Sequence, residues 1–175
     1  MSKVQIDLRR LHKHDIGVSK NGKKIYAYLT QSPLAESIGR NPHLLKLAKD
    51  ITALYEPQSE VEYIQHDTGR SVGYAERVKT GPDDAIFYAK LLKADHYTRF
   101  IKNHRAPTTR FLTLKLRRDS QGDYELVNIW LGKKYPAAPD AKGANGRSKS
   151  YWEDHAVVYN GQHIISSTVT KDCPY

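Results

Sequence analysis

The sequence predicts an α+β fold in which an N-terminal helical part is followed by a twisted antiparallel sheet of about four to five strands. Three observations carry this. Apolar residues recur at three- and four-residue steps before Pro57, they alternate with polar residues after it, and turn-forming clusters punctuate the alternating part. The 175 residues suit a single domain over 1–175, with a hairpin and helices in 1–57 and the sheet region in 58–175.

Asn21-Gly22 is a hairpin signal, and Lys24-Ile25-Tyr26-Ala27-Tyr28-Leu29 beyond it alternates as a strand does. Ser32-Pro33-Leu34-Ala35-Glu36 reads as a helix start, with Ser32 as cap and an acid in the first turn. From Pro42, the set Leu44, Leu45, Leu47, Ala48, Ile51 and Leu54 forms one helical face, with Asn41 as cap and Pro57 beyond the end. Five strands are then expected at 71–78, 85–89, 97–101, 110–116 and 124–131. The last two flank Arg118-Asp119-Ser120-Gln121-Gly122-Asp123, a hairpin loop by composition. Within 111–116, Leu112, Leu114 and Leu116 take the core face and leave Phe111, Thr113, Lys115 and Arg117 on the other. Residues 136–150 are small and turn-forming and read as a surface loop that leads into a short helix over 151–156, capped by Ser148 or Ser150. Val157-Val158-Tyr159, Asn160-Gly161 and His163-Ile164-Ile165 read as a terminal hairpin.

Composition narrows the class. At 39% hydrophobic and 27% charged the chain can bury a core and is not expected to be disordered. A lone cysteine, Cys173, excludes an intrachain disulfide and any cysteine-built metal cluster. No run of eighteen apolar residues and no leader in Met1 to Arg10 are present, so a cytoplasmic protein without a membrane segment is expected. Motifs for nucleotide-driven hydrolysis, dinucleotide binding, zinc proteases and serine hydrolases are missing. His12, His14 and Asp15 have ligand-like spacing, but no third ligand is indicated, and neither a metal nor a cofactor is expected.

The formal charge is +9, and its distribution is uneven. Residues 56–86 hold seven acids against three cations, whereas residues 87–118 hold nine cations and Asp95 alone, a net +8. That block interleaves Lys90, Lys93, Arg99, Lys102, Arg105, Arg110, Lys115 and Arg117 with Tyr88, Tyr97, Phe100 and Phe111, which suits a polyanion with unstacked bases. Lys90, Lys93, Tyr97, Arg105, Arg110, Lys115 and Arg117 are therefore the expected nucleic-acid contacts. RNA cleavage without a metal needs a base for the ribose 2′-hydroxyl, cations for the phosphate and an acid for the leaving oxygen. His66, His104 and His155 are the candidate acids and bases, Arg99 and Lys102 the candidate cations, and Thr113 a hydroxyl that positions a phosphate oxygen.

The segments Ile86-Phe87-Tyr88-Ala89-Lys90, Tyr97-Thr98-Arg99-Phe100-Ile101-Lys102, Thr113-Leu114-Lys115-Leu116, Gly122-Asp123-Tyr124-Glu125-Leu126-Val127, Ile129-Trp130-Leu131-Gly132, Ser150-Tyr151-Trp152 and His155-Ala156 look like a group of small bacterial and phage proteins. That group resembles the superfamily that joins barnase, EndoU, the tRNase colicins and RelE. The resemblance, over about residues 60–160, implies a metal-independent ribonuclease, often a toxin acting on tRNA or other structured RNA. It also implies a protein inhibitor or antitoxin as partner. It puts Arg99, Lys102 and Thr113 on sheet positions that face substrate and makes His66 the upstream catalytic histidine. Asn128 departs from it, standing where such proteins often present a serine or threonine. Two other readings compete: a non-catalytic RNA- or DNA-binding accessory protein, and an ADP-ribosyltransferase-like enzyme using Arg99 or Arg70 with Glu125 or Glu153.

Overall fold

The computed structural model describes residues 13–31 and 33–175, in which the apolar pattern of each segment decides the face it buries. The elements in chain order are β1 (Lys13–Val18), β2 (Lys24–Tyr28), α1 (Leu34–Arg40), α2 (Leu44–Thr52), β3 (Val61–Asp67), β4 (Gly73–Tyr74), β5 (Arg77–Lys79), β6 (Ile86–Lys90), β7 (Tyr97–Ile101), β8 (Thr108–Thr109), β9 (Phe111–Arg118), β10 (Tyr124–Leu131), α3 (Ser148–Asp154) and β11 (His155–Val158), with a 3₁₀ turn at Ser166–Thr168. They gather into two units, one made of residues up to Arg70 with Phe111–Lys133, the other of Ser71–Arg110 with Lys134–Tyr175.

The first unit holds a five-stranded sheet in the order β1-β2-β10-β9-β3. Gly22, at φ +81°, supplies the left-handed conformation that the β1–β2 turn requires. β10 lies parallel to β2 only at Tyr124 and Glu125 and antiparallel to β9 along its length, where a bulge falls between Leu126 and Asn128. Leu112, Leu114 and Leu116 are fully buried and stand in register with Ile64 on β3 and with Leu126, Ile129 and Leu131 on β10. α1 packs on β10 and α2 on β1 and β10, so both helices cover sheet strands. Burying each of these leucines is worth about 1.5–3 kcal/mol, the dominant stabilisation of this unit.

The second unit holds a four-stranded sheet ordered β5-β11-β7-β6 and a two-stranded ribbon, β4-β8. Register separates its faces. Val78, Ala156 and Ile101 form one apolar cluster with Ile86 and Val158. Phe87, Ala89 and Phe100 form the other with Leu91, Val157, Tyr159 and Ile164, and the Phe87 and Phe100 rings stack 5.1 Å apart.

The mixed α/β character expected from the sequence is present, but two parts of the expected architecture are corrected. The β1–β2 hairpin precedes the first helix and α3 comes late, so the order is not helix first. The strands form several sheets rather than one of four to five strands. The strand expected over 71–78 is interrupted at Ala75 and Glu76. His163–Ile165 does not return along β11; Ile164 instead bridges Leu91, beside the end of β6. The short helix runs over 148–154 rather than 151–156, and no side-chain cap bond closes it at Arg147. α2 starts at Leu44 with no side-chain cap, so Asn41 contributes its carbonyl to the Leu44 amide instead. The expected cap Ser32 and the histidine His12 lie outside the described residues.

Candidate active site

In the second unit α3 runs into β11 with no loop between them, which makes His155 both the residue after the helix and the first of the strand. Trp152 fixes that junction. Its ring is buried, and its indole N–H donates to the carbonyls of Pro136 and Ala137 at 3.0 and 3.2 Å, tying the glycine- and alanine-rich loop to the helix. Tyr135 and Tyr151 meet the Trp152 ring edge-on at 5.9 and 5.1 Å. Tyr151 and His155 are four residues apart at the helix end, so their rings share a face. They stack at 4.0 Å with 8° between the planes.

His155 Nδ1 lies 2.7 Å from Asp154 Oδ1 and 3.0 Å from the Tyr151 carbonyl oxygen. Both neighbours are acceptors, which assigns the proton of a neutral ring to Nδ1 and leaves the Nε2 lone pair to accept one. The His155 side chain remains 28% exposed and that of Asp154 47%, so Nε2 is reachable by a ligand. Across the ladder, Lys79 stands directly opposite His155 and is exposed. Arg77 lies two residues along on the same face, its guanidinium 3.2 Å from the centre of the Tyr135 ring. A histidine oriented by a carboxylate, on a strand whose neighbour carries a lysine at the facing register position, is equipped to take a proton from a hydroxyl beside an anionic phosphate. Burial pushes the Tyr151 phenol upward, with Tyr135 and Asp154 adding to the rise and Arg77 opposing it, so the phenol is protonated near neutrality.

The remaining sequence candidates divide between the units. Arg99 faces Tyr88 across β6–β7, on the sheet face opposite the His155 ring. Its guanidinium donates to Thr80 Oγ1 and to the His155 carbonyl, both at 2.9 Å, and so braces the β11 backbone. Lys102 shares the His155 face but aligns with Tyr159, about 13 Å further along the parallel strands at ~3.3 Å per residue. Its ammonium sits 5.0 Å from the Phe87 ring. Lys90 lies 5.2 Å from the Tyr97 ring, while the Tyr97 amide donates to Asp140. Lys93, Arg105 and Arg110 are exposed, and His104 is half-buried with its Nδ1 unpaired among the described residues.

In the first unit His66 belongs to β3 rather than to a turn. It stands opposite the buried Leu112 and is half-buried, with Nδ1 2.7 Å from the Tyr55 hydroxyl, and it belongs to the first unit whereas His155 belongs to the second. Thr113 is fully buried and donates to the Gly132 carbonyl at 2.8 Å, which leaves no hydroxyl to hold a phosphate. Lys115 lies over the Tyr63 ring at 5.6 Å, and Arg117 pairs with Glu125 at 2.8 Å. Asn128 accepts from Ser37 of α1 at 3.0 Å and so serves helix packing. The basic block therefore divides at Arg110/Phe111. Arg70 belongs to the first unit and Glu153 to α3, both exposed.

Of the six expected catalytic residues, His155 alone lies in this cluster with its ring nitrogen open. Tyr151, Asp154, Lys79 and Arg77 were not singled out from the sequence, although Tyr151-x-x-x-His155 with Asp154 adjacent is a readable spacing. Among the described residues no group of three or more potential ligands is placed to hold a metal ion. No helix among them is long and apolar enough to cross a membrane. No family, no curated protein and no solved structure matches the chain.

Proposed function

We propose that this protein is a metal-independent endoribonuclease in which His155 is the base that activates a ribose 2′-hydroxyl against the adjacent phosphate. The observation that carries the reading is the pinning of His155 Nδ1 by Asp154 and the Tyr151 carbonyl, on a strand position that faces Lys79 across the ladder. Lys79 supplies positive charge for the phosphate as it becomes five-coordinate. The net positive charge draws polyanions to the surface, and the exposed Lys93, Arg105 and Arg110 add phosphate contacts that carry no sequence information. The reading agrees with what the resemblance noted in the sequence over about residues 60–160 implies: a barnase- or RelE-type ribonuclease acting on tRNA or other structured RNA, often as a toxin with a protein inhibitor.

The test is incubation of purified protein with total RNA and with tRNA in excess chelator. Cleavage leaving 2′,3′-cyclic phosphate ends, lost in His155→Ala and accompanied by growth arrest that the variant relieves, is the expected result. Salt-sensitive RNA binding with no cleavage would replace this reading with that of a binding protein. Consumption of a nicotinamide dinucleotide would replace it with a transferase.

A further inference from the structure

A base alone does not complete RNA transesterification, because the departing 5′-oxygen is a poor leaving group until it receives a proton. The identity of that acid rests on the ribonuclease reading above and deepens it. Arg99 and Arg77 cannot serve, since a guanidinium does not give up its proton near neutrality. The phenol of Tyr151 meets the geometric requirements. It is carried on a ring stacked in parallel 4.0 Å from the imidazole, which keeps acid and base rings within the span of one phosphodiester. Its position is held from three sides: by His155 along one ring face, by Trp152 at 5.1 Å along an edge, and by the α3 backbone. Its hydroxyl makes no hydrogen bond among the described residues, so its proton is not committed elsewhere. We propose that Tyr151 is the general acid of the same site, donating its phenolic proton to the leaving 5′-oxygen.

The step balances. His155 Nε2 takes the 2′-hydroxyl proton, the 2′-oxygen forms a bond to phosphorus, the bond from phosphorus to the 5′-oxygen breaks, and that oxygen leaves as an alcohol with the proton from Tyr151. The products are a 2′,3′-cyclic phosphate and a 5′-hydroxyl end, with an imidazolium and a phenolate that exchange one proton through water to restore the site. The charged groups facing the phenol are Arg77 and Asp154, with Tyr135 beside them. Lys79, opposite His155, offsets the negative charge that develops on the phosphate.

The test compares Tyr151→Phe with wild type on two substrates. One is RNA, whose alkoxide leaving group needs a proton; the other is a uridine 3′-phosphate p-nitrophenyl ester, whose phenolate leaves without one. Tyr151→Phe keeps the stack and is expected to slow RNA cleavage about 100-fold, the usual contribution of a general acid, while changing ester cleavage less than about threefold. His155→Ala should slow both. Equal losses on the two substrates by Tyr151→Phe, or no loss on RNA, would overturn the assignment of Tyr151 and leave the ribonuclease reading standing. Failure of the wild type to cleave either substrate would overturn both.

Discussion

Asp154→Asn keeps the shape of the side chain and an oxygen beside His155 while removing the charge. An asparagine can also turn its amide nitrogen toward Nδ1, which would favour the ring tautomer whose Nε2 carries the proton and cannot act as base. A hydrogen bond to a charged group is worth about 1.5–3 kcal/mol. Here the carboxylate is 47% exposed, and solvent screening brings its contribution down to about 1 kcal/mol. The Tyr151 carbonyl, still 3.0 Å from Nδ1, goes on holding the productive tautomer. Since 1.36 kcal/mol is tenfold in rate, the expected loss is about fivefold, against roughly 100- to 10,000-fold for His155→Ala. Single-turnover cleavage of a fluorescent RNA, with melting temperatures measured in parallel, makes the comparison. Asp154→Asn activity indistinguishable from wild type would refute the orienting role. Activity as low as that of His155→Ala at an unchanged melting temperature would show that Asp154 itself touches the reacting atoms.

Thr113→Val should lower stability by about 1 kcal/mol, because the part-buried Gly132 carbonyl loses its donor, and should leave RNA cleavage per folded molecule unchanged; denaturant melts and turnover separate the two effects. Asp119 is held below the ordinary carboxylate range: its partial burial alone would raise it, and the Tyr26 hydroxyl at 2.7 Å together with the Gln121 and Asp123 amides outweighs that. A lowered folded-state value contributes stability that is present above pH 3.8, the ordinary value, and is lost as pH falls below it. Asp119→Asn should accordingly flatten the decline of stability below pH 4 seen by circular dichroism. Tyr26 works in the opposite direction: burial first, and then Asp119, raise its phenol above the ordinary value of 10.0. Stability should therefore fall as pH climbs above 10, and fall less steeply in Tyr26→Phe.

The elements legible in the sequence were those whose pattern is enforced on one side by a core. β7 and β10 fall at the expected residues because alternating apolar side chains on a buried sheet leave little freedom in register. α2 was legible for the helical equivalent of that reason. β3 was not, because Glu62, Gln65 and His66 interrupt its apolar alternation and only Ile64 is buried. Its hydrogen-bonded partner β9 lies more than forty residues on, and no local pattern reports such pairing. The hairpin expected around Asn160-Gly161 failed for a related reason: the turn is present, but β6 and its extension offered the better partner for Ile164 and Thr170.

For the candidate site, residue type was readable and direction was not. Composition and charge by themselves determined a chain able to bury a core and carrying a net charge of +9, with a surplus of histidine, arginine and hydroxyl groups in one block. Those quantities are sums over residues and need no coordinates. Tertiary structure alone decided which of those residues have an open functional group. Thr113 is spent on an internal hydrogen bond, Arg99 braces a strand from the opposite face, His66 has its Nδ1 at the Tyr55 hydroxyl in the first unit, and His155 has its Nδ1 taken up by Tyr151 and Asp154 in the second. The physical reason is that a side chain's chemistry depends on whether its polar atoms already have partners, and those partners come from register and crossing strands tens of residues away.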